Sequence, residues 1–238
     1  DRKTISIRVA EMASFFGIQT WFREDVSRLS GGQKQILNLA SAMVLQPDIL
    51  ILDEPTSQLD PIAATDFFAA VNKINREIGT TVLLTEHRMD DVWTMADRIA
   101  VLDEGRLLMT GTPADIGQKL AEEDHPMAEA LPAPMRAGFF IREKGWGEDL
   151  ENPMNVREGR QWLNRLLADK PPRKAFIGEE PERSDRSPVK VELKDVWFRY
   201  HKEDHDVIRD LSLKVYDGEF LTILGGNGTG KSTTLRVM

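Results

Sequence analysis

The sequence predicts an α/β protein in two pieces joined by a proline-rich connector, and three observations carry that expectation. Between Leu29 and about Leu120, helical periodicity alternates with short apolar runs, as an α/β domain requires. From about 121 to 187 the chain is punctuated by prolines, among them Pro126, Pro132, Pro134, Pro153, Pro171, Pro172 and Pro181. Past Pro188, strand patterning restarts and runs into a glycine-rich loop. The expected boundaries are 1–120, 121–187 and 188–238.

Taken in order, residues 5 to 28 have helix-compatible apolar spacing around Ile7, Met12, Phe15 and Phe16, with Gly17 as the breaker. Helical periodicity then covers Gln33–Val44 and Pro61–Ile78. The apolar runs Ile49–Leu52 and Thr81–Leu84 read as buried parallel strands. Arg98–Leu102 and Leu107–Thr110 flank Gly105 and read as a hairpin. In the connector one amphipathic helix is expected near Val156–Leu167, followed by a flexible polar stretch dense in charge at Glu179–Arg186. Strands are then expected at Val189–Leu193, Val196–Tyr200, Leu211–Val215 and Phe220–Leu224, with a helix under way at Met238.

Composition narrows the function classes. The 238 residues are 41% hydrophobic and 29% charged, ordinary for a globular protein. No run approaches the ~18 apolar residues of a membrane-spanning helix, and no signal peptide precedes the amphipathic start. The missing initiator Met fits a chain cut from something longer. Zero Cys excludes a disulfide scaffold and thiolate metal sites, and agrees with a cytoplasmic setting. A net charge of -8 argues against general nucleic-acid binding, and none is expected.

Gly225-Gly226-Asn227-Gly228-Thr229-Gly230-Lys231-Ser232 matches G-x-x-x-x-G-K-[ST] directly after an apolar run. Such glycines let the backbone wrap a polyphosphate with its N–H groups inward. Lys231 then reaches the β- and γ-phosphates, and the Ser232 hydroxyl ligates Mg²⁺. Trp197 and Phe198 read as aromatic core. Tyr200, at the end of its strand, either packs likewise or stacks on an adenine ring.

Leu29-Ser30-Gly31-Gly32-Gln33 precedes a helix, so Ser30 and the glycines form either a plain N-cap or an anion site at a positive helix end. Ile49-Leu50-Ile51-Leu52-Asp53-Glu54 is a strand ending in two acids. They are either solvated turn residues or working groups. As working groups, Asp53 holds Mg²⁺ and Glu54 orients or deprotonates an attacking water. His87, after the next strand, is placed to contact a γ-phosphate, whereas His125, His201 and His205 read as structural.

The order and distances of Leu29–Gln33, Asp53–Glu54, Ser57-Gln58-Leu59-Asp60 and His87 resemble the signature, Walker B, D-loop and switch-histidine motifs of an ABC ATPase. Gly225–Ser232, running on through Thr233, resembles the Walker A motif of a second copy, with Tyr200 as its A-loop aromatic. The resemblance covers roughly 1–118 and 189–238. It implies P-loop NTPase halves: the C-terminal part of a first nucleotide-binding domain, a linker, and the β-rich N-terminal part of a second. It also implies ATP and Mg²⁺ as cofactors, and Ser30, Gly31, Gly32, Gln33 and Asp60 as contacts to nucleotide across a domain interface. The runs Thr56–Pro61 and Thr85–Arg88 look like the ATPases of energy-coupling-factor importers, which take up vitamins or cobalt and nickel ions. In that group the ATPase pairs with integral membrane subunits at the cytoplasmic face. The connector pieces Leu131–Pro134 and Val156–Gly159 look similar to its linkers. The rival is a soluble tandem ABC ATPase acting on ribosomes or nucleic acid. Its D-loop usually reads Asn-His-Leu-Asp and its linker is long, helical and basic, unlike this connector. The missing motifs imply that no complete active site lies in this chain, which alone is expected to be inactive.

Overall fold

The computed structural model describes residues 2–87, 89–147, 149–168, 188–203 and 205–238. In chain order the elements are α1 (Arg2–Phe15), α2 (Gly31–Met43), β1 (Ile49–Asp53), α3 (Pro61–Lys73), β2 (Thr81–Thr85), α4 (Met89–Trp93) and β3 (Ile99–Asp103). Then come β4 (Arg106–Gly111), α5 (Pro113–Glu122), α6 (Ala133–Glu143), α7 (Val156–Leu166), β5 (Val189–Phe198), β6 (Ile208–Tyr216) and α8 (Lys231–Val237). The described residues form two compact units. One draws on Asp1–Gln46, Gln58–Phe67 and Ile177–Met238, and the other on Pro47–Ser57 and Phe68–Phe176.

In the first unit, α1 ends at Phe15, just before the expected breaker Gly17, and starts earlier than residue 5, at Arg2. Gly17 turns the chain with a left-handed φ of 67°, and short 3₁₀ turns follow at Ile18–Thr20 and Val26–Arg28. Ala13, Ile18 and Ala40 are buried together, with Phe16, Trp21, Ile36 and Leu37 against them. β5 and β6 pair antiparallel. The two strands expected at 189–193 and 196–200 are one, because Asp195 takes a left-handed φ of 49° and the register shifts there without ending the ladder. Trp197, expected in the core, is 58% exposed. Phe220–Leu224 is not a strand: a strand exists through its ladder bonds, and the run has no ladder partner among the described residues. Phe220 and Leu224 are accordingly exposed.

In the second unit, β1 and β2 pair parallel, as the apolar runs predict, and the register sets Asp53 opposite Thr85. Burial does not follow. Ile49, Ile51 and Leu83 are 61%, 69% and 60% exposed. A parallel sheet is buried when layers cover both faces, and this pair is a two-stranded sheet among the described residues. β3 and β4 form the expected hairpin, closed by Glu104 (φ 46°) and Gly105 (φ 76°) as a primed turn.

The connector holds more structure than the one expected helix. α7 is there, capped by Asn155 accepting from the Glu158 amide at 2.9 Å. So are a 3₁₀ turn at Pro126–Ala130 and α6, which patterning around Pro132 and Pro134 obscured. Leu131 and Met135 are buried with Trp93, Val101, Ile116 and Leu120 in one core cluster. The connector up to Leu166 is therefore packed chain, not a bare tether, because its apolar side chains complete the cover over the hairpin and α5. The stretch expected to be flexible, Glu179–Arg186, lies outside the described residues.

Candidate functional site

The phosphate-loop candidate lies in the first unit. Gly225, Gly226, Asn227, Gly228, Thr229 and Gly230 form an irregular loop that ends at α8, whose first residues are Lys231 and Ser232. Gly228 and Gly230 take φ of 81° and 92°, which residues with a side chain rarely adopt. A Cβ on Gly225 would lie 2.7 Å from Thr229 Oγ1, and one on Gly230 would lie 3.1 Å from the Val207 carbonyl oxygen. Lys231 Nζ donates to the Gly225 and Gly226 carbonyl oxygens at 2.7 and 2.5 Å, so its charge sits within the loop. Buried Thr233 bonds Tyr200 Oη through its Oγ1 at 3.0 Å, and Tyr200 meets Phe198 edge to face at 5.1 Å. Tyr200 remains half-exposed, so its ring is tied to α8 and still accessible on one side.

The start of α2 packs against the segment that leads into α3. Ser30 caps the helix by accepting from the Gln33 amide at 3.2 Å, while Gln33 Oε1 accepts from the Ser30 amide at 2.8 Å. Gly31 and Gly32 open the helix. A Cβ on Gly32 would fall 2.9 Å from Ala63 Cβ, so α2 and α3 approach there closely enough to exclude a side chain. Asp60 caps α3: its Oδ1 accepts from the Ala63 and Ile62 amides at 3.0 and 3.1 Å. Its Oδ2 accepts from the Asn227 amide at 2.8 Å. These bonds, the Ala63 amide foremost, then Asn227, with a smaller pull from the Lys231 charge, hold the half-buried Asp60 carboxyl below its usual range.

The loop fits a polyphosphate. An anionic oxygen, that of Asp60, already sits on one of its amides, the glycines leave no room for side chains, and an ammonium stands inside. Ser232, in the first unit, and Asp53, in the second, are each a hard oxygen donor of the kind Mg²⁺ accepts beside phosphates and water.

The acid and histidine candidates lie in the second unit, at the C-terminal tips of β1 and β2. Thr85 Oγ1 donates to Asp53 Oδ1 at 2.6 Å. The Glu54 amide donates to the Thr85 carbonyl oxygen and to Thr85 Oγ1, each at 3.1 Å. Glu54 turns left-handed at φ 42°, a conformation uncommon for a residue with a side chain. Its Oε1 lies 2.8 Å from His87 Nε2. The side chains of this pair are 46% and 84% exposed, and exposed pairs contribute about 0–1 kcal/mol. Thr56, fully buried, donates through its amide and its hydroxyl to Glu86 Oε1 at 3.1 and 2.6 Å. Glu86 Oε2 accepts from the His87 amide at 3.2 Å.

Two groups of candidates are thus brought together: Ser30–Gln33 with Asp60, the phosphate loop and Tyr200, and Asp53 with Glu54 and His87. Thr56, Thr85 and Glu86 lie in the runs that carry the family resemblance, but the sequence assigns them no individual role, and nothing in it singles out Ala63. Only the pairing of β1 with β2 and of α2 with α3 brings them into contact with the candidates. His125 is structural as expected, its Nδ1 accepting from the Met127 amide at 3.2 Å.

Residues 3–57 and 208–238 match the family model described as ABC transporter. The chain is 36% identical over 236 residues to a Bacillus anthracis protein provisionally named an ABC transporter ATP-binding protein, covering 98% of this chain and 40% of that one. It is 30% identical over 239 residues to one of the same provisional name from Clostridium tetani, covering 100% of this chain and 50% of the other. The chain thus spans half or less of the length of these curated relatives. Among solved structures it is similar to cbiO1 from Clostridium perfringens, described as part of the ABC transporter complex cbiONQ. That likeness is 29% identical, covers 52% of this chain and 50% of the other, and has a TM-score of 0.47, a level that does not decide the fold. On the stretch that holds Ser30 to Glu54 and on the stretch that holds the phosphate loop, the sequence matches the ABC transporter family model, and along its length it is similar to ABC transporter ATP-binding proteins.

Proposed function

We propose that this chain is part of the ATP-binding and hydrolysing subunit of an energy-coupling-factor importer, driving uptake of a vitamin or a transition-metal ion through integral membrane subunits. One observation carries the reading. Asp60 and the Asn227 amide, 167 positions apart, share a hydrogen bond of 2.8 Å. It supports a pairing of two nucleotide-binding domains within one protein, the D-loop of the first against the phosphate loop of the second.

On this reading Lys231 neutralises the β- and γ-phosphates, loop amides hold their oxygens, and Tyr200 meets the adenine ring. Ser30, Gly31, Gly32 and Gln33 present the positive end of α2 to the γ-phosphate. Ser232 at this loop, and Asp53 at the other site, are residues that would each hold a Mg²⁺, which when bound offsets phosphate charge. Glu54 accepts the proton of the attacking water and His87 contacts the γ-phosphate. Asp53, Glu54 and His87 serve a phosphate loop other than Gly225–Ser232. Closure on ATP and opening after hydrolysis move the membrane subunits at the cytoplasmic face. No helix among the described residues is itself long and apolar enough to cross a membrane.

The test is uptake of labelled cobalt, nickel and vitamins by a strain lacking the gene, complemented with wild type or with Lys231→Ala. Uptake of one solute should be lost on deletion and restored by wild type alone. Normal uptake of all of them, with a defect in translation instead, refutes the importer reading.

A further inference from the structure

We propose that Glu86 is a positioning residue that holds His87 and Glu54 at working distance, acting through a buried clamp on Thr56. The inference rests on the reading of Glu54 and His87 as the hydrolytic pair, and deepens it. The backbone pairing of β1 with β2 runs out at the bond from the Glu54 amide to the Thr85 carbonyl oxygen, where Glu54 turns left-handed and β2 ends. The Glu86 carboxylate spans the gap. One oxygen takes both the amide and the hydroxyl of Thr56, at 3.1 and 2.6 Å, and the other takes the His87 amide at 3.2 Å.

A closed ring results. It runs from Glu54 along the chain to Thr56, across to Glu86, along to His87, and back to Glu54 through the 2.8 Å contact. The weak member of the ring is the Glu54–His87 contact itself, since the His87 side chain is 84% exposed. The strong member is the charge-assisted pair at Thr56, which is fully buried. The geometry of the exposed pair is therefore set from below.

Glu86→Gln separates the two halves of the clamp. An amide has one acceptor oxygen, so it can serve Thr56 or the His87 amide but not both, and its NH₂ then faces another donor. Loosening a reacting group by about 1 Å costs up to about 10²-fold in rate.

In the full-length gene product, Glu86→Gln should lower kcat for ATP hydrolysis by about 10–10²-fold while KM and nucleotide stoichiometry stay within about two-fold of wild type. Thr56→Val should show the same split, and Thr56→Ser, which keeps the hydroxyl, should recover the rate. Glu54→Gln combined with Glu86→Gln should be no slower than Glu54→Gln alone, since a positioning residue has nothing left to position. Wild-type kcat in Glu86→Gln, or losses that multiply in the double variant, overturns the proposal even if Glu54→Gln is inactive. Equal loss of kcat and nucleotide stoichiometry means fewer folded molecules and also overturns it. Should Glu86→Gln not fold, Thr56→Val against Thr56→Ser decides by the same criteria. Full activity of Glu54→Gln instead refutes the parent reading.

Discussion

Gly32 is where the packing of α2 on α3 is tightest, and Gly32→Ala measures it. The added Cβ would stand 2.9 Å from Ala63 Cβ and 3.8 Å from Ala63 Cα. Carbon atoms prefer about 3.5–4.0 Å, so the two helix starts must part by about 0.6–1 Å. No rotamer relieves the clash, because the Ala63 methyl is bonded directly to the α3 backbone. Overpacking of this kind costs about 1–3 kcal/mol. Against it stands the gain of replacing glycine in a helix, about 0.5–1 kcal/mol and less in a first turn. The steric effect wins, and a net destabilisation of about 0.5–2 kcal/mol is expected, read as a lower thermal or denaturant midpoint of the full-length protein. Ala63→Gly removes the facing methyl, so Gly32→Ala with Ala63→Gly should recover more than the sum of the single effects allows. Because Ser30 caps α2 and Asp60 caps α3, the same displacement should raise KM for ATP. A Gly32→Ala protein as stable as wild type, or more stable, refutes the close-packing argument.

Glu54→Gln in the full-length protein should keep ATP binding and slow turnover at its site by about 10²–10⁴-fold in kcat, since the shape stays and the base is lost; steady-state kinetics at full activity would demote Glu54 to a turn acid. The 238-residue chain alone should release no phosphate from ATP above buffer, checked by a Mg²⁺-dependent phosphate assay, and release abolished by Glu54→Gln would contradict it. Asp60 should titrate below the ordinary aspartate value of about 3.9, because the Ala63 and Asn227 amides favour its charged form. A depressed folded value means the contribution to stability is present above the unfolded pKa and is lost only as pH falls through the lower folded one. A carboxyl titration by NMR with a midpoint at or above the ordinary value would count against the contact. Met135→Ala should cost the second unit about 2–5 kcal/mol, since Met135 is buried among Trp93, Ile116 and Leu120; chemical denaturation with an unchanged midpoint would remove α6 from the core.

The sequence by itself marked out the candidate positions. Gly225–Ser232, Ser30–Gln33, Asp53–Glu54 and Asp60 are legible because backbone anion sites and strand-tip acids need fixed residue types at fixed short spacing, and short spacing is what a sequence displays. It also displayed β1 and β2 as parallel strands and the turn at Gly105, through short apolar runs and a glycine that can take positive φ, while the register of the two strands came from the structure. Tertiary structure alone decided which runs are covered. Ile49–Leu52 and Phe220–Leu224 have the same apolar character, yet the first is a half-exposed strand and the second no strand at all, because ladder bonds and covering layers come from residues distant in the chain. The same holds for α6, whose Met135 fills space between Trp93 and Gly117, and for the clamp of Thr56 on Glu86. Asp60 meeting the Asn227 amide belongs here too. A contact between residues far apart in the chain depends on how the intervening chain packs, and that packing is a property of the fold rather than of any local run of residues.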